Sequence, residues 1–504
     1  MIELVWFKRD LRIADHQALS TAAARGPVLP VYVIEPELWQ QPDSALRHWQ
    51  FIADSLRELD NDLRQRGQGL LVCEGEIIST LKQLHHRFGL RAVHSHEETG
   101  NGWTYTRDRS VARWLKAEGI EWHQYQQFGV CRPLANRDHW AGAWEHFMSQ
   151  PQHQAPAQLQ RLLATELPPL EQQLRGYEQS SCPGRQPGGR YHGLRLLRSF
   201  LSQRSRRYRA SLSAPAAASR YCARLSSYLA YGCISLRELV QATDTALAEQ
   251  PDPQWRASLQ AFKSRLYWHC HFIQKLEDQP DIECLELYPA MRGLRSEANP
   301  AHLAAWMEGR TGYPMMDACM RQLQHDGWLN FRMRACLMSF ASYLLWLPWR
   351  DSALHLARQF TDYEPGIHYC QAQMQSGTTG INALRIYNPL KQSLEQDPEG
   401  DYIRHWVPEL AQLPSSWIHQ PWQLPDALQQ QWGVSIGEDY PAPIVDHEAA
   451  ARSARQRIKQ HLHLQSGEQK AEWQEGIRQR HASRRRPSRR RQPSASSNQL
   501  TLDL

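Results

Sequence analysis

The hydrophobic pattern of this 504-residue chain changes character once, and that change limits the possible folds more than any other feature. Up to residue 130, short apolar runs alternate with helical periodicities. The runs are Ile2–Phe7, Val28–Ile34, Leu70–Cys73, Arg91–His94 and Ile120–Tyr125, and the helical patterns are His48–Arg64, Ile77–Phe88 and Arg107–Glu118. Parallel strands need a long crossover between them, usually a helix, so this alternation predicts an α/β doubly wound parallel sheet. Such sheets bind ligands beyond the carboxyl ends of their strands. No GxGxxG follows the first strand, which disfavours a dinucleotide site of the usual kind there. From Tyr191 to about His447 the periodicity is almost wholly helical. Long helices are expected around Arg195–Arg209, Ser235–Leu247, Trp255–Leu276, Pro314–His325, Trp328–Leu347 and Trp349–Thr361. Between the two patterns, Ser149–Gly189 is rich in Gln, Pro, Gly and Ser and reads as a linker with a few helical turns. The expected organisation is an α/β domain over 1–130, a linker over 131–190, an all-α domain over 191–464 and an arginine-rich tail over 465–504. The tail's composition is that of a segment unable to bury a core, so disorder is expected from Gln465 onward.

Composition narrows the function less. A net charge of +6 permits an anionic partner without requiring one. Nineteen tryptophans can pack cores, stack on bases or relay electrons, so their number discriminates little. The ten cysteines are scattered with no CxxC pair, which gives zinc and iron–sulfur sites little support and suits a reducing cytosol. The start, MIELVWFKRD, lacks the apolar run of a signal peptide, and no uncharged apolar segment of about 18 residues occurs. A cytoplasmic protein with no membrane span is expected.

The most telling single run is Glu308–Arg334. Gly312, Tyr313 and Pro314 mark a turn into a helix, and Met315, Met316, Cys319, Met320 and Leu323 recur at helical spacing. Gly327 ends that helix, and Trp328 precedes the next. Arg332 and Arg334 then enter a very apolar segment, ACLMSFASYLLWL. Arginine is rarely placed there without an anionic partner. A buried structural ion pair and a ligand-binding arginine both satisfy that requirement.

The run resembles the signature of the photolyase/cryptochrome flavoproteins, in which GRTGYP and the following GW-x-x-x-R-x-R help build the flavin pocket. Other blocks follow in the family's order: LVWFKRDLRIADHQAL, Arg190–Arg209, RLSSYLAYGCIS, RIYNP, DPEGDYIRHWVPEL and DYPAPIVDH. The similarity is to the class I-like branch, with a divergent substrate pocket. It implies FAD bound by the helical domain and an antenna role for the α/β domain. Cys222, Ala223, Arg224, Leu225 and Ser226 align with a phosphate-binding run that is usually TSRLS, so two hydroxyls are lost. Ser226 suits pyrophosphate at a helix start and equally suits an ordinary helix cap. Tyr208 and Trp328 take cofactor-facing positions. Asp362, Tyr363 and Glu364 match the D-x-D element, and the resemblance pairs Asp362 with Arg334 beside the flavin ring. His368 takes the position facing flavin N5, where histidine is able to donate a proton.

The departures from the family fall on substrate and electron path. Arg265 replaces a glutamate that contacts the lesion, Phe331 replaces a polar residue beside Arg332, and Met374 replaces an aromatic wall; Trp268, the other wall, is kept. Of the three-tryptophan chain only Trp349 remains, since Ala372 and Ser296 occupy the other two positions. Tyr369, Trp346 and Tyr343 are candidates for another route. Glu97, Glu98, Asn101 and Trp103 either line a second chromophore site, for a folate or a deazaflavin, or form a surface loop. The arginine-rich run Arg478–Arg491 suits phosphate binding or mere solvation. The last six residues, Gln499–Leu504, resemble the short peptide that docks into the bacterial sliding clamp. The implied function is blue-light-dependent repair of pyrimidine dimers in DNA by a monomeric FAD photolyase, a carbon–carbon lyase in which Arg334, His368 and Trp349 serve the chemistry. Its lesion contacts would be Arg265, Trp268, Arg332 and Met374. The alternatives are a cryptochrome-type photoreceptor and a flavoprotein that only binds nucleic acid.

Overall fold

A computed structural model describes residues 1–481 apart from 135, 161, 163–169, 175–181, 250 and 465. Five strands, β1 (Ile2–Phe7), β2 (Val28–Ile34), β3 (Leu71–Glu74), β4 (Leu90–His96) and β5 (Glu121–Tyr125), form one parallel sheet in the order β3-β2-β1-β4-β5. All thirteen residues of β1 and β2 are buried, as expected where both faces of a parallel sheet are covered. Because side chains alternate along a strand, β1 feeds two cores. Ile2, Leu4 and Trp6 pack with Leu81, Val111 and Leu115 from the helices Ile77–Phe88 and Gly102–Glu118. Val5 and Phe7 point the other way, into a core holding Trp49 and Leu56 of the helix Leu46–Arg64. That second core continues without a break into Tyr208, Tyr228, Phe262 and Trp328 of the helical region.

Polar contacts tighten the same junction. Arg47 Nη1 donates to the carbonyls of Leu323, at 3.3 Å, and Gln359, at 2.8 Å. His48 Nε2 lies 3.1 and 3.0 Å from the carbonyls of Ala357 and Phe360. The first turn of Leu46–Arg64 thus satisfies carbonyls left over at the end of the helix Trp349–Gln359.

A third core belongs to the helical region. Met315, Met316, Cys319, Met320 and Leu323 of the helix Pro314–Asp326 are all buried there, as their spacing predicts. The turn before that helix is built around Asp317. Its carboxylate, fully buried, accepts from Thr311 N (2.8 Å), Thr311 Oγ1 (2.6 Å), Gly312 N (3.1 Å) and Tyr440 Oη (2.5 Å). Gly312 has φ +77°, and a Cβ there would lie 2.4 Å from the Ala442 carbonyl oxygen, so no other residue fits without backbone movement.

Two expectations need correction. The predicted helix Trp328–Leu347 begins at Phe331, and after Ser339 it widens into a π-helical turn, Phe340–Leu344. The tail is not structureless from Gln465. Gly467–His481 is a helix, with Trp473, Ile477 and His481 spaced four apart. Ile477 and His481 are buried, Trp473 meets Tyr288 edge-on, and His481 Nε2 lies 2.8 Å from Gln279 Oε1. Polar composition concealed this narrow stripe, which is enough to dock one helix face. The remainder of the arginine run and Gln499–Leu504 lie outside the described residues. Among the described residues no helix is long and apolar enough to cross a membrane.

Asp317→Ala leaves four buried donors without an acceptor and is expected to lower unfolding free energy by about 3 kcal/mol or more. Chemical denaturation of the purified variant, followed by far-UV circular dichroism, checks this; Asp317→Asn, which keeps one acceptor oxygen, should lose less.

Candidate functional site

Arg334 sits one turn into the helix Phe331–Ser339, and Asp362 follows the end of Trp349–Gln359. The two meet in a bidentate pair, Nη1–Oδ1 3.0 Å and Nη2–Oδ2 2.7 Å. Arg334 Nε donates to the Leu329 carbonyl at 2.7 Å, and the Phe360 ring lies 4.0 Å from the guanidinium carbon. The Asp362 side chain is 3% exposed and that of Arg334 25%, so the cation, not the anion, faces open space. A planar cation fixed this way is suited to a flat, electron-accepting partner.

Arg224 lies close enough to feel both charges of this pair. It is held in a left-handed backbone conformation, φ +58°, with its guanidinium 4.1 Å above the Trp328 ring. Its neighbours in the run are fixed through their carbonyls: Arg204 donates to Cys222 O and Ala223 O, and Gln186 Nε2 to Arg224 O at 3.0 Å. Leu225 is buried, and Ser226 opens the helix Ser226–Ala230. Burial pushes the Cys222 thiol up to about 12, so it behaves as a small neutral apolar group. Three buried polar atoms near these elements, Arg224 Nε, Asn330 Oδ1 and Thr361 Oγ1, have no hydrogen-bond partner among the described residues. Unpaired buried polar atoms are costly and call for a ligand or ordered water. A cationic run beside an aromatic ring, a second arginine fixed by a carboxylate and unpaired polar atoms fit a flavin dinucleotide.

His368, on the helix Pro365–Ser376, lies beside the pair: its ring centroid is 6.1 Å from that of Phe360. Its Nε2 lies 2.8 Å from the Ala353 carbonyl, which only an N–H can satisfy. Burial, reinforced by the Arg334 charge, pushes its pKa down to about 4. These contacts disfavour the expected proton-donor role. At neutral pH the ring is neutral, its one proton is committed to Ala353, and Nδ1 is an acceptor. Tyr363 turns away from the pair, and its hydroxyl donates to Asp43 Oδ2 at 2.6 Å. Glu364 pairs with Arg9 at 3.1 Å, and burial pushes its pKa up to about 7 against that attraction.

The remaining predicted residues are more dispersed. Tyr208 is buried, with its ring edge-on to Phe200 and Phe262, and its phenol feels the charge of Arg265, exposed on the helix Pro253–Asp278. Trp268 stacks on Phe272 at 5.7 Å. Arg332 lies over Tyr387, Phe331 is exposed, and Met374 is buried. Trp349 is buried and turns its indole N–H to Glu286, at 3.3 Å.

A cleft lies between the carboxyl ends of the strands and the helical region, with about 710 Å³ of space not filled by atoms, open solvent included. Trp6, Trp39, Tyr32, Tyr231 and Tyr363 supply aromatic walls, and Glu98 and Asn101 line it as the sequence suggested. Arg107 bridges Glu35, at 2.8 Å, and Glu98, at 2.5 Å; burial pushes Glu35 up to about 7. Trp103, instead, reaches Glu37 at 3.4 Å, and Glu97 belongs to a smaller neighbouring cavity. Nearby, Asp10 Oδ2 lies 3.0 Å from His16 Nε2 and 2.7 Å from His96 Nδ1, a spacing that invites a metal reading. However, His16 Nδ1 accepts from Leu19 N, so Nε2 carries the proton and offers no lone pair. The trio is a buried polar junction in which His96 Nδ1 hydrogen-bonds to Asp10 and His16 Nε2 lies close to the same oxygen.

Sequence reasoning missed Arg9, Asp43 and His48. Arg9 donates to the Ala230 and Tyr363 carbonyls, both at 2.7 Å, and so ties the first strand's loop to the segment that carries Asp362. The only sequence signal was their position after β1, for Arg9, and around the helix start that follows β2, for Asp43 and His48, at the binding edge of the sheet.

Comparison with known proteins gives the family. Residues 3–135 match the DNA photolyase profile, and residues 262–460 match the FAD binding domain of DNA photolyase. The chain is 31% identical over 471 residues to the deoxyribodipyrimidine photo-lyase of Streptomyces griseus, covering 90% of this chain and 99% of that one. It is 27% identical over 501 residues to cryptochrome-1 of Arabidopsis thaliana, covering 93% and 72%. Among solved structures, a Synechocystis cryptochrome superposes with a TM-score of 0.81 at 26% identity, covering 90% and 98%. The chain belongs to the DNA photolyase/cryptochrome family and carries that family's FAD-binding domain.

His48 and His355 are held near 4, like His368, each chiefly by burial. Their ordinary value is about 6.5, so between pH 6.5 and 4 these three histidines bind more protons in the unfolded chain than in the folded one, and outnumber Glu35 and Glu364, which act in the opposite sense. Stability is therefore expected to fall as pH drops through that window, and His368→Asn to flatten the fall. Urea midpoints measured from pH 7.5 to 4.5 check the slope.

Proposed function

We propose that this chain is a blue-light-dependent DNA photolyase that uses reduced FAD to split pyrimidine dimers. The observation that carries this reading is the Arg334–Asp362 pair, with its cation turned toward the place expected for the flavin and neutral His368 beside it. FAD, when bound, supplies light absorption and one-electron transfer. The protein's contribution is to hold and tune it. Arg334 stabilises negative charge at the ring edge, and His368 Nδ1 is placed to accept a hydrogen bond rather than to give up a proton. Arg224 and Ser226 are assigned to the dinucleotide phosphates, and Trp328 to the wall beneath Arg224. Trp268 and Met374 are assigned as walls for a flipped lesion, with Arg332 and Arg265 toward phosphate or carbonyl oxygens.

The relatives support a light-driven flavoprotein of either kind, since photo-lyase and cryptochrome names both occur among them. The second reading, a photoreceptor without repair, is favoured by Arg265 itself, a cation beside Tyr208 at the position assigned to the family's lesion-binding carboxylate. We assign a second, light-harvesting chromophore to the aromatic cleft at the strand ends. The archaeal photolyase of Sulfolobus tokodaii, 26% identical, is described with two FAD molecules, which are said to imply a novel light-harvesting cofactor. The protein is taken to act as a monomer in the cytoplasm, in keeping with ten free cysteines. Its tail is assigned to DNA phosphates, and Gln499–Leu504 to a sliding clamp.

Reduced protein under blue light is expected to remove dimers from single- or double-stranded DNA, and to leave them in the dark. Flavin photochemistry without dimer loss, and no preference for damaged DNA, would establish the photoreceptor reading instead. Deleting Gln499–Leu504 is expected to abolish clamp pull-down; retention of the full-length level would remove that assignment.

A further inference from the structure

The family's tryptophan chain is broken here at Ala372 and Ser296, yet Tyr363 and Tyr369 form a compact group of oxidisable rings close in the chain to Asp362. Tyr363 follows Asp362 directly in the chain. Its ring is 5.3 Å from that of His368 and 6.2 Å from that of Tyr369, and His48 stacks on it at 5.8 Å with an interplanar angle of 16°. Both phenols share one acceptor: Tyr363 Oη donates to Asp43 Oδ2 at 2.6 Å and Tyr369 Oη at 3.3 Å. Asn101 Nδ2 holds the same carboxylate from the other side, 3.2 Å from each oxygen. Tyr363, Tyr369 and Asp43 are all buried, at 8%, 0% and 2% exposure.

This arrangement has a chemical meaning. Removing an electron from a phenol turns it into a strong acid, and leaving that charge in a buried site is costly. Oxidation is easy only where a base already sits on the hydroxyl. Burial pushes the pKa of both phenols up, so both are protonated beforehand and must release a proton when oxidised. A carboxylate at 2.6 Å from Tyr363 is such a base.

We propose that Tyr363, hydrogen-bonded to Asp43, is the residue that passes an electron to the light-excited oxidised flavin in this chain, with Tyr369 as a second donor on the same carboxylate. One electron leaves the Tyr363 phenol for the excited flavin, and the phenolic proton crosses to Asp43 Oδ2. The protein is left with a neutral phenoxyl radical and a neutral carboxylic acid, and no net charge is stranded in the buried site. A thiol in solution returns an electron, and the proton returns from Asp43. Asp43 and Tyr363 both line the aromatic cleft, so that refilling proceeds from the cleft side. The proposal rests on the flavin placement given above.

The test uses full-length, FAD-loaded protein illuminated with dithiothreitol present. Transient absorption and electron paramagnetic resonance are read alongside flavin content. A tyrosyl radical is expected in the wild-type protein, with slower formation in D2O. Tyr363→Phe/Tyr369→Phe should lose the radical while keeping its flavin. Asp43→Asn, which keeps the hydrogen bond but removes the base, should slow its formation by about a hundredfold. A flavin-loaded double variant that photoreduces at the wild-type rate, or a tryptophanyl signal in its place, would overturn the proposal alone. A wild-type chain that binds no FAD would overturn the flavin placement and this proposal with it.

Discussion

The salt bridge between Arg334 and Asp362 is the interaction on which the rest of the site depends. A bidentate pair with one partner almost fully buried repays its desolvation only when its geometry is good and its remaining donors are met. Both conditions hold here: Leu329 takes Nε, and Phe360 lies beneath the guanidinium. The neighbours follow from the pair. Its positive charge helps keep His368 neutral, and it contributes to the field in which Arg224 sits. Chain connectivity then places Tyr363 and Glu364, which reach across to Asp43 and Arg9 of the sheet domain.

Because of those two contacts, the flavin-side segment and the sheet are not independent units. One hydrophobic core runs from the inner face of β1 through Leu46–Arg64 to Trp328. Arg47 and His48 close carbonyls at the end of Trp349–Gln359, which leads directly into Asp362. Tyr363 follows Asp362 in the chain and also lines the cleft at the strand ends, so the α/β domain is in direct contact with the segment that carries Asp362.

Much of the fold was legible in the sequence because its periodicities are strong. The five apolar runs became five strands, and the buried methionines of Pro314–Asp326 fell on the face their spacing indicated. The helix Gly467–His481 was missed because three residues four apart are enough to dock it, while the average over the segment is polar. Within the site, Arg334 and Asp362 were legible through resemblance, since the two are 28 residues apart and no local pattern links them. Arg9, Asp43 and His48 were not, because their roles exist only once two regions hundreds of residues apart are brought together. The state of His368 was hidden for the same reason: burial and the Ala353 carbonyl decide it, and neither is written in the local sequence.

The central claim is that the Arg334–Asp362 pair is maintained for the flavin rather than for the fold. The most direct test compares Asp362→Asn with the wild-type chain in two measurements on one preparation: FAD bound per chain, and the denaturation midpoint of the flavin-free protein. The account predicts flavin content reduced by about tenfold or more, as expected for the loss of a charge-assisted pair at a binding site, with a nearly unchanged apoprotein midpoint. Full FAD occupancy together with a sharply lowered midpoint would contradict it and make the pair a structural one.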